Sequence, residues 1–442
     1  MRFMNKILAL GFLLFLISTN LKGQDTLYLD DAIQIGLKNN FSIIVAQNNL
    51  QIATNNSSMG NAGMLPKVDA NAAQNNISQD IKRKDSGTTT EYNNKAASMT
   101  GALQLNWTLF DGFNMFVLRE QNRNLQQMGN LQLRMTIEDA TASIIINYYG
   151  IALQQKLLKS LKESFVLSKN RLMIAKEKTK IGAGYELQVI QAEIDFQTDS
   201  SSILRQENLI KNQMIALNRL LGRNANTSFS IKDIQPSFAK PDYNAIVEGL
   251  NSQNAELLYE RMNVSNKELS IRSLKTSRMP RIAFVSSYNF SSIGNSTSSP
   301  ENSRTFGPSV GVTASITLFN GFNLSRNIKN AQLQAQNQRV MLTQTENLLQ
   351  SNLSQSYNDL ELALALIRTE ETIMKLATKN VSVALEKYRL GAISDLELRD
   401  VQKKMLDAQY RFFSAQLQAK TAEIDLKILA GVLLNEISTD KP

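Results

Sequence analysis

Glu397 and Asp400 stand six and nine residues past Gly391. In a helix, a spacing of three puts both carboxylates on one face. What such a pair can do is limited by what the rest of the chain lacks. The 442 residues include no Cys and no His, so there is no thiol nucleophile, no imidazole base or ligand, no disulfide, and no N-terminal Cys for lipid attachment. Most familiar catalytic constellations are thereby removed. No enzyme activity, metal or cofactor is expected, and the pair is read for its charge. Glu397 also has a structural role open to it, because Ser394-Asp395-Leu396-Glu397 fits a capping box. Asp400 lies beyond the first turn, where capping explains it less well.

The elements that must position these acids are marked by punctuation that occurs twice. Thr108 to Asn114 reads TLFDGFN and Thr317 to Asn323 reads TLFNGFN; KIGAGYEL at Lys180 is matched by RLGAISDL at Arg389; LNRLLG ending at Gly222 is matched by LKILAG ending at Gly431. All three pairs are offset by 209 residues. Between the first and second markers of each half lie about 68 residues with almost no Gly and no Pro, enough for a helix of roughly 100 Å. The correspondence continues upstream, where Ala32, Gly36 and Pro66 match Ala245, Gly249 and Pro280. Two repeats are therefore expected, 24–236 and 237–442. Each reads as a helix of about 30 residues, a hairpin (about 66–110 and 280–319) and a long helix (about 114–181 and 323–390). A Gly turn (182–185 and 391–394) and a second helix, ending at 222 and 431, complete each repeat.

Residues 1–23 read as a secretory signal: Arg2 and Lys6, then an apolar run from Ile7 to Ile17 that is too short to span a bilayer. The formal charge of +9 includes three basic residues of that stretch. The remaining Lys and Arg are interleaved with Glu and Asp, the pattern of solvated helix faces, so nucleic-acid binding is not expected. No later run of eighteen apolar residues occurs, and any membrane span has to be built from strands.

Strands are marked by period-two alternation. Leu103, Leu105, Trp107 and Leu109 alternate with Gln104, Asn106 and Thr108, and Val310, Val312, Ala314, Ile316 and Leu318 alternate with Gly311, Thr313, Ser315 and Thr317. Partner strands follow Pro66 and Pro280, and Asp80 to Asn94 and Ser291 to Arg304 read as polar loops. Segments of about ten residues suit transmembrane strands, but four strands cannot close a conducting barrel and an open edge in lipid is forbidden. Several copies must pool their strands. The apolar spacing of three and four in Leu153 to Leu172 and Leu362 to Leu385 suits coiled-coil packing.

At these markers the chain resembles the outer membrane efflux protein family, the TolC-like trimeric outer-membrane factors, over nearly all of its length. The duplicated halves, the LFDGFN and LFNGFN turns, and YRLGAISDLELRDVQ at Tyr388 to Gln402 carry the resemblance. It implies a mainly α, α+β fold: a long α-helical coiled-coil barrel with four transmembrane β-strands per protomer, closing as a 12-stranded β-barrel in a homotrimer. It implies an outer-membrane exit duct for small molecules, working with a periplasmic adaptor and an inner-membrane pump. Type I protein secretion is the neighbouring reading. A periplasmic coiled-coil rod without a pore is the reading of another class.

In that likeness, Lys180, Ile181, Gly182, Arg389, Leu390 and Gly391 form the periplasmic tip where the adaptor docks. Glu397 and Asp400 are the gate candidates, ringing the entrance as six carboxylates in three copies. The first half has Gln188 and Gln191 in their places. Ile393 stands where some relatives have a basic latch residue. Phe110, Asp111, Gly112, Phe113, Phe319, Asn320, Gly321 and Phe322 are expected at the membrane boundary in contact with outer-membrane lipid, with Trp107 a candidate for an aromatic belt.

Overall fold

The computed structural model describes residues 26–232, 235–295 and 302–435. The expected signal, residues 1–23, and residues 296–301 of the second expected loop lie outside them. The first half runs β1 (Thr26–Leu27), α1 (Leu29–Asn39), α2 (Phe41–Asn56), β2 (Lys67–Asp85), β3 (Thr88–Phe110), α3 (Asn114–Lys180) and α4 (Glu186–Leu220). The second runs β4 (Ser230–Ile231), α5 (Tyr243–Gln253), α6 (Ala255–Thr276), β5 (Arg281–Asn295), β6 (Asn302–Ser315), α7 (Asn323–Arg389) and α8 (Asp395–Leu429). Helices α3 and α7 have 67 residues each, about 100 Å at 1.5 Å per residue. No described helix is both long and apolar enough to cross a membrane. The chain divides into two compact units, 48–132 with 257–345, and the remainder.

The first of these units holds a four-stranded antiparallel sheet in the order β2-β3-β5-β6. Its register sorts the side chains cleanly. Trp107, Phe284 and Val312 share a row, as do Val68, Leu105 and Val310, then Ala70, Leu103, Tyr288 and Pro308, then Ala72, Gly101, Phe290 and Phe306. The opposite face carries Asp69, Gln104, Ser287 and Ser309, then Asn71, Ala102 and Asn289. A bulge between Thr108 and Phe110 puts Phe110 opposite Ile282, on the apolar side. From Phe110 to Met99 this face spans eleven positions, about 35 Å along the strand or about 25 Å at the tilt of a membrane barrel. On it Val68, Met99, Leu103, Trp107, Tyr288, Phe290, Phe306, Val310 and Val312 are exposed, and Leu105, Phe110, Ile282 and Phe284 are half-buried.

Four expectations need correction; of the second expected loop, Ser291 to Arg304, the residues up to Asn295 and from Asn302 are already paired strand. Asp80 to Asn94 is not a loop, because pairing continues to Asp85 and Thr88 and closes on Ser86 and Gly87, both at positive φ (46° and 89°). Such a two-residue turn fits strand twist. The segment has no apolar face for alternation to reveal. Likewise β6 stops at Ser315 rather than reaching Leu318, since Ser315 already pairs with Arg281, the first residue of β5.

The helices expected to run about 30 residues are each broken once, at Asn40 and at Asn254, both with extended ψ (124° and 121°). Asn40 Oδ1 accepts from the Ser42 and Ile43 amides at 2.9 and 3.3 Å, capping α2, while its Nδ2 donates to the Leu220 carbonyl at 2.8 Å. Asn254 Nδ2 donates to the Leu429 carbonyl at 3.2 Å. Each Asn thus satisfies a carbonyl left open at a helix end.

These contacts lie in the second unit, whose main core gathers Leu27, Ile33, Ile144, Tyr148, Ile151, Leu217, Leu221, Phe229 and Ile424. Burial pushes the Tyr148 hydroxyl up to about 12, and it donates to the Leu27 carbonyl at 2.7 Å. Gly222, at φ 64°, lies so close to α1 that a Cβ would come 2.2 Å from the Asn39 oxygen. Gly182 has a similar φ of 75° but open space around it. Gly222→Ala should therefore cost about 2–4 kcal/mol, strain plus overlap, and Gly182→Ala about 1 kcal/mol. Urea unfolding in detergent checks this, and equal losses would contradict the close approach.

Candidate gating site

The helix turns at Gly182 and Gly391 are built alike. The Gly182 amide donates to Thr179 at 3.1 Å and Ala183 to Lys178 at 2.8 Å; Gly391 donates to Tyr388 at 3.1 Å and Ala392 to Lys387 at 2.8 Å. This is the double closure of a Schellman end, and it requires the left-handed backbone found at both glycines (75° and 74°). Lys180 and Arg389 occupy the last helical turns, where a cation is favoured. Between each base and its glycine, Ile181 and Leu390 are 76% and 83% exposed. Both turns therefore present an apolar tip with no cover among the described residues.

Glu397 is held in the first turn of α8. Its carboxylate accepts from the Ser394 amide at 2.7 Å and hydroxyl at 3.0 Å, and its own amide donates to Ser394 Oγ at 3.2 Å. The Ser394 amide, followed by the hydroxyl, holds its pKa below the ordinary glutamate value. Gln188 Oε1 takes the same role at Tyr185, at 3.3 Å. The cap therefore does not need a charge, and the acid at 397 is additional. Asp400 is exposed and pairs with Lys404 at 2.7 Å. Ile393, like Ile174 of α3, packs against the cluster of Ala384, Tyr388 and Leu398.

Beneath these turns the structure gathers residues that the sequence reading missed. Arg171 of α3, only 1% exposed, donates through Nε to Asp395 Oδ1 at 3.0 Å, through Nη1 to Gln402 at 3.3 Å and through Nη2 to Asp195 at 3.2 Å; Nη2 also meets Asp395 Oδ2. Arg399 of α8 holds Asp199 of α4 with two bonds of 2.9 and 2.7 Å, and its Nε lies 3.4 Å from Asp195. Ser168 donates to Asp199 at 2.5 Å. Burial opposes the charge of Arg399, but the bond to Asp199 and the charges of Asp199, Asp195 and Asp395 more than offset it and raise its pKa. On α7, Tyr388 lies under Lys178 Nζ, 5.1 Å from the ring centroid. Its pKa is raised by burial first and by Asp395 second.

One polar network thus ties α3, α4 and α8 together. Its charges look ordinary in sequence, because interleaved Arg and Asp usually mark solvated faces. A signal was available in the offset of 209: Arg171, Asp195, Asp199 and Arg399 correspond to Asn380, Lys404, Ala408 and Ile190. Two of these charges face an Ala or an Ile in the other half.

The strand-to-helix residues lie in the other unit. Asp111 Oδ1 accepts from the Met115 amide at 3.2 Å, and Asn320 Oδ1 from Leu324 at 3.4 Å. Gly112 and Gly321 precede Phe113 and Phe322, which themselves adopt positive φ of 70° and 59°, at a cost of about 1–3 kcal/mol each. Trp107 Nε1 donates to the Met64 carbonyl at 3.0 Å.

A sequence profile of the family described as outer membrane efflux protein matches residues 32–223 and 247–432. The protease secretion protein PrtF of Dickeya chrysanthemi is 19% identical over 419 residues, covering 91% of this chain and 88% of that protein. Among solved structures, the CmeC outer membrane channel of Campylobacter jejuni superposes with a TM-score of 0.76 at 14% identity, covering 94% of this chain and 90% of that one. The outer membrane protein VceC of Vibrio cholerae gives 0.73 at 15% identity, covering 91% and 96%.

Removing one partner of a buried pair strands the other. Arg399→Leu should cost about 3–5 kcal/mol, and Arg399→Leu with Asp199→Leu should recover most of it; additive losses in a denaturation cycle would show that the pair is not coupled. Because Glu397 is depressed in the folded state, its contribution is present above the ordinary glutamate pKa and is lost as pH falls through the lowered value. The hydrogen-exchange protection factors of the first turn of α8 should fall on acidification in the parent and stay flat in Glu397→Gln.

Proposed function

The chain belongs to the outer membrane efflux protein family, and we propose that three copies form the outer-membrane exit duct of a tripartite export system. The observation that carries this reading is the sheet, with its exposed apolar face and two edges, β2 and β6, that have no partner strand among the described residues. In lipid such edges are prohibitive, and three chains joining β6 to β2 remove all of them in a 12-stranded barrel. Helix α7 supports the same assembly. Met341, Leu348, Leu362, Leu376 and Val383 are all exposed and separated by multiples of seven, a seam that wants a neighbouring helix.

In this duct the exposed Ile181 and Leu390, with Lys180, Gly182, Arg389 and Gly391, receive a periplasmic adaptor, and an inner-membrane pump supplies the work. Glu397 and Asp400 attract cations at the entrance. The Arg171 and Arg399 network favours the closed packing, because parting α8 from α3 and α4 breaks its bonds. The adaptor opens the duct by preferring the other packing. Small molecules are the first reading for cargo. Protein cargo is the second, favoured by the likeness to a protease secretion protein over 91% of the chain.

Purified protein should run as a heat-resistant trimer and conduct in planar bilayers; a soluble, monomeric, non-conducting chain would overturn the duct in favour of a coiled-coil rod. Deleting the gene separates the cargo readings, by sensitivity to toxic compounds or by loss of a protein from the medium. Glu397→Gln with Asp400→Asn should raise the concentration of a trivalent cation needed for half block by about tenfold. Unchanged block would remove both residues from the gate.

A further inference from the structure

The strand-to-helix junctions join two kinds of surface. Phe110, on the apolar face of the sheet, meets Phe113 edge-on with centroids 5.2 Å apart, and Phe113 meets Phe116 at 6.3 Å. Phe116 in turn lines an open cavity of about 510 Å³ with Arg119, Glu120 and Arg123. An unbroken aromatic path therefore leads from the apolar band to a basic pocket. Glu120 is paired with Arg272 at 3.3 Å, so the arginines set the sign of the pocket. Arg119 also points Nη1 at Met64 Sδ, 3.8 Å away.

The second junction repeats the order with different residues. Phe319 and Phe322 meet edge-on at 5.4 Å, and Arg326 and Lys329 follow Phe322 by four and seven residues on one exposed helix face. Among the described residues Arg123, Arg326 and Lys329 make no ion pair. Neither α3 nor α7 has an acid in its first turn. Of these cations only Arg326 lies in a first turn, where the positive helix end disfavours it, and an anion beside it reverses that.

On the reading that the sheet sits in the outer membrane, we propose that both junctions bind anionic phospholipid of the leaflet nearer the helices. The Phe rings lie at the acyl boundary. Arg119 with Arg123, and Arg326 with Lys329, about 5–10 Å further along the helix, take the phosphodiester. Aromatic belts need rings alone. The added basic residues at both junctions make the contact selective for charge.

The test uses full-length mature protein in mixed detergent micelles containing phosphatidylglycerol or phosphatidylcholine, with bound lipid counted by native mass spectrometry. The parent should retain phosphatidylglycerol over phosphatidylcholine at least fivefold. Arg119→Gln, Arg123→Gln, Arg326→Gln and Lys329→Gln combined should abolish the preference, and Lys at all four positions should keep it. Neutralising Arg205, Lys211, Lys379 and Lys403 instead should change nothing. An unchanged preference in the quadruple Gln variant overturns the proposal, as does displacement of the lipid by millimolar inorganic phosphate, which would mark a free-phosphate site. Planar-bilayer conductance of the same samples separates the two readings: a conducting variant that keeps its lipid preference refutes only the lipid site, whereas a parent that neither inserts nor conducts refutes the duct.

Discussion

Hydrocarbon offers no hydrogen bonds, so every backbone N–H and C=O inside it must find a partner in protein. A four-stranded sheet with an apolar outer face cannot meet that condition by itself, because its first and last strands each leave a row of groups open. The rest of the molecule follows from how that deficit is met. In the proposed duct strands are joined edge to edge; the positive-φ turn at Gly112-Phe113 follows directly on β3, and the one at Gly321-Phe322 starts α7 six residues after β6 ends. Helix α7 inherits the same incompleteness: from Met341 to Val383 it exposes an apolar residue at most of the seventh positions.

Where the chain does complete itself, it uses two different interactions. Around Ile144, Tyr148 and Leu217 the packing is apolar, and close approaches such as Gly222 on Asn39 lock it. Near the helix turns the joint is a buried set of two arginines and three aspartates. Apolar burial tolerates small slips in register, whereas bidentate charge pairs have one good geometry and a steep cost when broken. A joint of the second kind holds one packing firmly and releases it abruptly, which suits an element with two states better than one that must never move.

The fold class was legible because it rests on periodicity. Alternation at Leu103 to Leu109 and an absence of Gly and Pro over about 68 residues say strand and long helix whatever surrounds them. The outer half of the first hairpin was not legible, since Asp80 to Asn94 is wet on both faces and its strand character rests on cross-strand bonds alone. Nor were the breaks at Asn40 and Asn254, whose side chains reach carbonyls some 180 residues away, that of Asn40 also capping the next helix. Asn within a helical stretch announces nothing until that carbonyl is in place.

By itself the sequence determined the elements, their order and the family, because these follow from local patterning and from motifs that can be read without contacts. It also marked Glu397 and Asp400 as acids of one helix face. Only the tertiary structure decided that Glu397 is engaged in a cap, that Arg171 and Arg399 are buried against aspartates of other helices, and that the Phe ladder ends at Arg119 and Arg123. A charge in a sequence carries no record of its surroundings. Whether it meets water, a capped amide or a buried counter-ion is settled when distant segments come together.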